Sequence, residues 1–315
     1  MTHILTFKSE SDYQQSRGDL DFWWPHLLDI LQRHHLPGAD RRAAAIAGFN
    51  PTYPVFLIDD IVIKFFGHRS YWREALNTES AAYEYLMQDH TLLAPHLIVK
   101  GQLFPESDGT WSYIVSSKIS GKSWLDTPLT YQEKERIAAE IGEQLHKIHQ
   151  LPIHHGLQHD RQWSTLNLKT AVEKSVLPKH LIAQLDTFIA KLDEFDRCFV
   201  NGDIVDTHVF VNNGSLSGII DWGDATVTDR HYELGKLMDT FDWDKGLLKI
   251  VLSAAKWPVK RNFPKQSLGL ALYRQAVGLT QHSSFDVFYK LPDLLPLEDI
   301  ATLDELADVL FDVGG

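Results

Sequence analysis

Between Asn201 and Asp221 the sequence brings three polar groups to strand ends, and this stretch limits what the chain can fold into more than any other. The apolar run Cys198-Phe199-Val200 leads into Gly202-Asp203, and the β-rich run Val209-Phe210-Val211 follows. Asn212-Asn213-Gly214 has the chemistry of a tight hairpin turn, after which Ile219-Ile220 delivers Asp221. One carboxylate that takes a hydroxyl proton, with a second carboxylate and a neutral ligand that hold a divalent cation, is a set suited to phosphate chemistry. An ordinary β-hairpin with solvated turn acids would read the same way, so the flanking segments have to decide.

In protein kinases a metal ligand stands five residues after the catalytic Asp, and here that spacing from Asp203 reaches His208. Two residues before Asp203, where His is usual, stands Asn201. Magnesium prefers oxygen, yet a neutral imidazole can complete an octahedral shell otherwise built from carboxylate, phosphate and water. Asn201 would act from behind the ligands, tuning the loop rather than disabling it.

Ala43 to Phe66 reads as two strands around Asp59-Asp60, and Lys64 sits in the second, Ile61-Val62-Ile63-Lys64-Phe65-Phe66. An ammonium in so apolar a run either finds an anionic partner or reaches solvent from a strand edge. A helix over Trp72–Met87 would place Glu79, with Tyr83 and Leu86, on or beside its inward stripe. A lysine strand followed by a glutamate helix is the pair that kinases couple. Gly48-Phe49-Asn50 lacks the glycine-rich phosphate loop of protein kinases.

Leu97-Ile98-Val99 and Trp111–Ser117 read as further strands, and the break at Lys118-Ile119-Ser120-Gly121 divides a strand-rich stretch from a helical remainder. Domains are therefore expected over 1–118 and 119–315. Helical periodicity covers Asp19–His35, Tyr131–Leu151, Pro178–Phe195, Lys236–Phe241, Leu247–Ala255, Leu268–Thr280 and Leu297–Phe311. Within the last, Thr302-Leu303-Asp304-Glu305 has capping-box spacing and would mark a break. His146, His149, His154, His155 and His159 crowd one region without a recognised zinc spacing.

The 315 residues are 44% hydrophobic and carry a formal net charge of −12, which suits a two-lobed folded protein and disfavours nucleic acid or an anionic membrane surface as partner. A cationic small molecule fits that charge. The lone Cys198 rules out an internal disulfide and suits a reducing cytosol. With no basic leader and no apolar run long enough to span a bilayer, a cytoplasmic monomer is expected.

Taken together, these segments resemble the aminoglycoside phosphotransferase family along nearly the whole chain. The similarity is greatest to hygromycin-B kinases of the 7''-O type, in Asp21-Phe22-Trp23, Asn50–Val55, Ile63–Phe66, Glu79 with Ala82-Tyr83, and Ser120–Trp124. The Asp203-to-His208 spacing is similar to 2''-phosphotransferases, where such a His is a magnesium ligand. Glu233 stands where the family usually has Asp. The resemblance implies an α+β, bilobal protein-kinase-like fold, with a small β-rich N-lobe carrying one pairing helix and a larger helical C-lobe. It implies ATP, with GTP also possible, and Mg2+. Asp203 would be the base, His208 and Asp221 the metal ligands, and Lys64 and Glu79 the phosphate-binding pair. Ser117 and Ile119 would meet adenine through backbone groups, and Asn50 and Thr52 would lie near the β and γ phosphates. The charge balance adds Asp224, Asp239 and Asp242 as acids for a cationic substrate. A metabolic kinase for a sugar, choline-like or amino alcohol, and a nucleotide-binding pseudokinase, are the alternatives.

Overall fold

The computed structural model describes residues 5–49, 52–105, 111–153, 167–281 and 285–314. The chain divides into two compact units, Met1–Ser120 and Gly121–Gly315. The first contains, in order, α1 (Glu10–Ser16), α2 (Leu20–Arg33), β1 (Ile46–Ala47), β2 (Val55–Ile58), β3 (Ile61–Gly67), α3 (Trp72–Leu86), β4 (Leu97–Gln102) and β5 (Trp111–Ser117). Its strands form one antiparallel sheet in the order β1-β2-β3-β5-β4.

Strand alternation assigns the two faces of this sheet. Phe56, Ile58, Ile63, Phe65, Trp111, Tyr113 and Val115 join one core with Tyr13 of α1 and Trp23, Leu27, Ile30 and Leu31 of α2. Trp23 stacks on Phe65 with ring centroids 4.5 Å apart, and its indole N–H donates to the Ser16 carbonyl at 2.8 Å. Burying so large an apolar ring with its polar atom satisfied makes Trp23 the anchor of the N-terminal helices, and truncation to Ala would cost about 3–5 kcal/mol. Asp19 caps α2 by accepting from the amides of Asp21 and Phe22. Lys64 alternates with Ile63 and Phe65, which leaves it for α3.

The second unit contains β6 (Lys122–Ser123), α4 (Tyr131–Gln150), α5 (Leu168–Val172), α6 (Lys179–Ile182), α7 (Leu185–Ile189), β7 (Arg197–Val200), β8 (Val209–Asn212), β9 (Ser215–Ile219), β10 (Thr226–Asp229), α8 (Leu234–Thr240), α9 (Lys245–Ala254), α10 (Phe263–Gln281), α11 (Leu291–Leu294) and α12 (Leu303–Phe311). Thr130 and Glu133 form a full capping box on α4, whose Ile137, Ile141, Leu145 and Ile148 are buried. A Cβ at Gly142 would stand 2.5 Å from the Val251 carbonyl, so glycine is what lets α4 approach α9.

Two expected helices are broken. Over Pro178–Phe195 the chain makes α6 and α7, because the Gln184 amide bonds Leu181 O while its side chain donates to the His180 and Ala301 carbonyls and accepts from Leu303 N. The carbonyl that would continue the helix is thus taken by a side chain. Over Leu297–Phe311 a short 3-10 turn precedes α12, which begins where Thr302 Oγ1 accepts from Glu305 N at 3.0 Å. Strand β10, absent from the sequence reading, pairs antiparallel with β7. Among the described residues no helix is long and apolar enough to cross a membrane. The organisation is α+β, with a β-rich N-terminal unit and a larger, mainly helical C-terminal one.

Candidate active site

Lys64 Nζ lies 2.7 Å from Glu79 Oε2, with the two side chains 15% and 3% exposed, and Tyr83 one helical turn on donates its hydroxyl to Glu79 Oε1 at 3.0 Å. The ammonium also sits over the rings of Phe66 and Tyr53, at 5.5 and 6.0 Å from their centroids. An ion pair this buried is costly to form and costlier to break, and its attached hydrogen bonds and ring contacts are what make it tenable. Elsewhere in this unit, Tyr13 donates its hydroxyl to the Thr52 carbonyl at 2.9 Å. Ser117 exchanges bonds with His96, donating its amide to the His96 carbonyl and accepting the His96 amide on Oγ. Half-buried Ile119 follows directly after β5. Asn50 and the histidines at 154, 155 and 159 lie outside the described residues. His146 Nδ1 is 2.9 Å from the Ala255 carbonyl, and burial pushes His149 down to about 3.

In the second unit the β8–β9 hairpin sets the remaining geometry. Asn213 and Gly214, both with positive φ (52° and 72°), make the two-residue turn between the paired Asn212 and Ser215. Val211 pairs with Leu216, but Phe210 pairs with Gly218, so Ser217 is an extra residue in the ladder. At the open end the Ile220 amide donates to the His208 carbonyl at 3.0 Å, and Asp221 follows in the left-handed region at φ 56°. His208 Nε2 comes within 3.8 Å of Asp221 Oδ2. His208 Nδ1 lies 2.9 Å from the Asp203 carbonyl and 3.4 Å from Asp203 Oδ2. Nδ1 carries the proton in the tautomer that donates to that carbonyl, which leaves the Nε2 lone pair on the side of Asp221.

Asn201 links the two loops from behind. Its Oδ1 accepts from the Asp203 amide at 2.8 Å, and its Nδ2 donates to the Asp221 carbonyl at 3.1 Å. Glu233 accepts the amides of Asn201 and Gly202 on its two carboxylate oxygens, at 2.6 and 2.9 Å. Burial pushes Glu233 up to about 7; the two backbone N–H bonds and Arg274 oppose this, while the Asp203 charge adds to it.

Two cations escaped the sequence reading. Arg274 of α10 donates through Nε to the Gly202 carbonyl at 2.7 Å, and through Nη2 to Asp203 Oδ1 at 3.1 Å and Asp224 Oδ2 at 2.9 Å. Lys290 donates to the Asp239 carbonyl and to Asp242 Oδ1, each at 2.8 Å, and lies 3.1 Å from Asp239 Oδ1. The three acids read from sequence as contacts for a cationic substrate thus each have a cationic partner within the chain. Arg274 was signalled by its setting, a lone cation in the apolar run Leu268–Leu279, which is the same signal that singled out Lys64. Among the described residues no group of three or more His, Cys, Asp or Glu side chains is arranged to hold a metal. His208 Nε2 and the Asp221 carboxylate are two donors that could hold a cation only if phosphate and water supplied its other ligands.

Residues 53–262 match the model of a family described as the phosphotransferase enzyme family. Among solved structures, the GDP complex of wild-type aminoglycoside 2'-phosphotransferase-IIIa is 17% identical, with a TM-score of 0.63 over 84% of this chain and 93% of that one. The apoenzyme of macrolide 2'-phosphotransferase MphH from Brachybacterium faecium is 14% identical, with a TM-score of 0.60 over 91% and 97%. Aminoglycoside phosphotransferase APH(3'')-Id from Streptomyces rimosus is 14% identical, with a TM-score of 0.56 over 80% and 98%. No curated protein matches the chain by sequence. The structural likenesses establish the α+β, kinase-like fold, and the family match spans most of the chain. Asp203, His208 and Asp221 lie close together beside the open end of one hairpin, and with residues 53–262 matched the chain belongs to the phosphotransferase enzyme family.

Proposed function

We propose that the chain moves the γ-phosphate of a nucleoside triphosphate to a hydroxyl of a cationic aminoglycoside or aminocyclitol, hygromycin B being the first acceptor to try. The observation that carries this reading is the convergence of Asp203, His208 and Asp221, braced by Asn201 and Glu233. Structurally similar aminoglycoside phosphotransferases solved with GDP and kanamycin, or with streptomycin and ATP, support the choice of both co-substrates. In this reading residues 1–118 bind nucleotide and 119–315 carry the catalytic loop and the acceptor helices.

Lys64, held by Glu79, is assigned to the α and β phosphates, with Asn50 and Thr52 toward the β and γ phosphates and Ser117 and Ile119 toward the base. His208 Nε2 and the Asp221 carboxylate would hold Mg2+, which when bound neutralises phosphate charge. Asp203 takes the acceptor hydroxyl proton as the acceptor oxygen bonds to the γ-phosphorus. The bond from that phosphorus to the β-phosphate oxygen breaks, and its electron pair leaves on the nucleoside diphosphate.

One observation favours a second reading, a metabolic kinase for a neutral sugar or alcohol. Lys290 already neutralises Asp239 and Asp242, and Arg274 neutralises Asp224, so the local demand for a polycation is smaller than the net charge implies. Coupled-assay screening of cationic antibiotics against neutral sugars and amino alcohols, with ATP and GTP in parallel and Mg2+ present, separates the two. Turnover confined to neutral acceptors defeats the aminoglycoside reading, and no acceptor-dependent turnover at all defeats both.

A further inference from the structure

Arg274 occupies a place that is expensive for a charge. It is 2% exposed, on a helix whose neighbouring Leu268, Leu270, Ala271 and Leu272 are fully buried. Burial alone would lower its affinity for the proton, yet Tyr232, Asp224 and Asp203 hold the guanidinium above its ordinary value. The Phe285 ring centroid lies 4.8 Å from the guanidinium carbon, and Nη1 is buried without a hydrogen-bond partner among the described residues. A well-packed apolar side chain would be the less costly occupant if stability alone were at stake.

What the guanidinium grips is specific to the loop it reaches. Nε takes the carbonyl of Gly202, the residue before Asp203; Nη2 takes Asp203 Oδ1 and, on the same atom, Asp224 Oδ2. Gly202 itself is in the left-handed region at φ 76°, with a Cβ position 2.9 Å from the Tyr232 ring, so the backbone entering Asp203 is confined on that side as well. The planar fork fixes the peptide and the carboxylate of one residue at once, which a point-charge ammonium cannot do.

We propose that Arg274 is a positioning residue for the proton-accepting carboxylate, an assignment that rests on the reading of Asp203 as the base. With Oδ1 committed to Arg274, the acceptor proton goes to Oδ2, the oxygen that lies 3.4 Å from His208 Nδ1. Asp224 acts as the outer anchor: by sharing Nη2 it keeps the guanidinium from collapsing onto Asp203 and rotating its carboxylate.

The test is a kinetic cycle on the full chain, with whichever acceptor the screen identifies. Arg274→Lys and Asp224→Ala are each made in the wild-type and in the Asp203→Asn background, and thermal melting with and without nucleotide checks the fold. Either substitution is expected to lower kcat by about tenfold or more in the wild-type background, with the nucleotide KM within about twofold, and to cause no further loss once Asp203 is Asn, because residues that act as one unit are not additive. Equal losses in both backgrounds, or unchanged kcat, overturn the proposal, as does Asp224→Ala raising acceptor KM at constant kcat. If Arg274→Lys does not fold, Asp224→Ala, at a partly exposed position, decides alone. A wild-type chain that transfers phosphate to nothing overturns the functional reading and this proposal with it, whereas active wild type with indifferent variants overturns this proposal only.

Discussion

The carboxylate of Glu233 accepts the amide hydrogen of Asn201 at 2.6 Å and, through its other oxygen, that of Gly202 at 2.9 Å. Glu233→Gln replaces one acceptor with a donor, so one backbone N–H would face another N–H deep in the core. Leaving that group unsatisfied costs about 1–3 kcal/mol. A lower melting temperature at pH 5, with reduced kcat, is expected; a variant as stable there and as fast as wild type would show that the loop does not depend on this clasp.

Glu233 also gives a signed pH prediction. Its folded pKa, raised to about 7 from 4.5, means that the folded chain favours the protonated acid. This contribution is fully present below about 4.5 and is lost as pH rises through about 7, a total on the order of 3 kcal/mol. Wild type should therefore lose stability relative to Glu233→Gln between pH 5 and 8, measured by denaturant titration of both chains across that range (about one proton's worth). A constant difference would place the titration elsewhere.

Asn201→Asp keeps the acceptor for the Asp203 amide but turns the donor to the Asp221 carbonyl into a second acceptor. The expected result is a raised requirement for Mg2+ in turnover at nearly unchanged nucleotide KM. Asn201→Ala, which merely deletes both bonds, should be milder in metal dependence; the reverse order would argue against Asn201 as the support of Asp221.

Lys64→Ala leaves Glu79 buried beside Tyr83 with its ion-pair partner gone, which costs about 3 kcal/mol. Combining it with Glu79→Gln should restore part of that loss, a coupling visible as non-additive melting shifts. Nucleotide KM should rise in both single variants. Fully additive stabilities would mean that the pair is not energetically coupled.

Lys290→Met frees Asp239 and Asp242 for an outside cation. If the acceptor is polycationic, its KM should fall by about fivefold to tenfold at low salt and much less at high salt. A neutral acceptor should be indifferent, so the same variant discriminates the two substrate classes.

The Lys64–Glu79 pair and the hairpin were legible because their signals are local: Lys64 alone in an apolar strand, Glu79 in register with Tyr83, and an Asn213-Gly214 turn that closes a hairpin. What escaped depends on partners far along the chain. Arg274 meets Asp203 across 71 residues, and Gln184 breaks a helix through contacts at 301 and 303. Periodicity registers which face of a helix is apolar, not which carbonyl a distant glutamine will take. The acids Asp224, Asp239 and Asp242 show the same limit from the other side, since a net charge summed over the chain does not say that Lys290 sits on Asp239 and Asp242.

The extra residue at Ser217 acts as a shim. If Ser217 were paired in register instead of looped out, the ladder that starts at Asn212 opposite Ser215 would run on with Ile219 opposite His208 rather than Val209. Asp221 would then leave the histidine with every side chain of the site still in the sequence. The spacing from Asp203 to His208 is fixed along one loop of the chain, but the distance across to Asp221 depends on one looped-out residue in β9, so the width of the gap between imidazole and carboxylate is a property of hairpin mechanics.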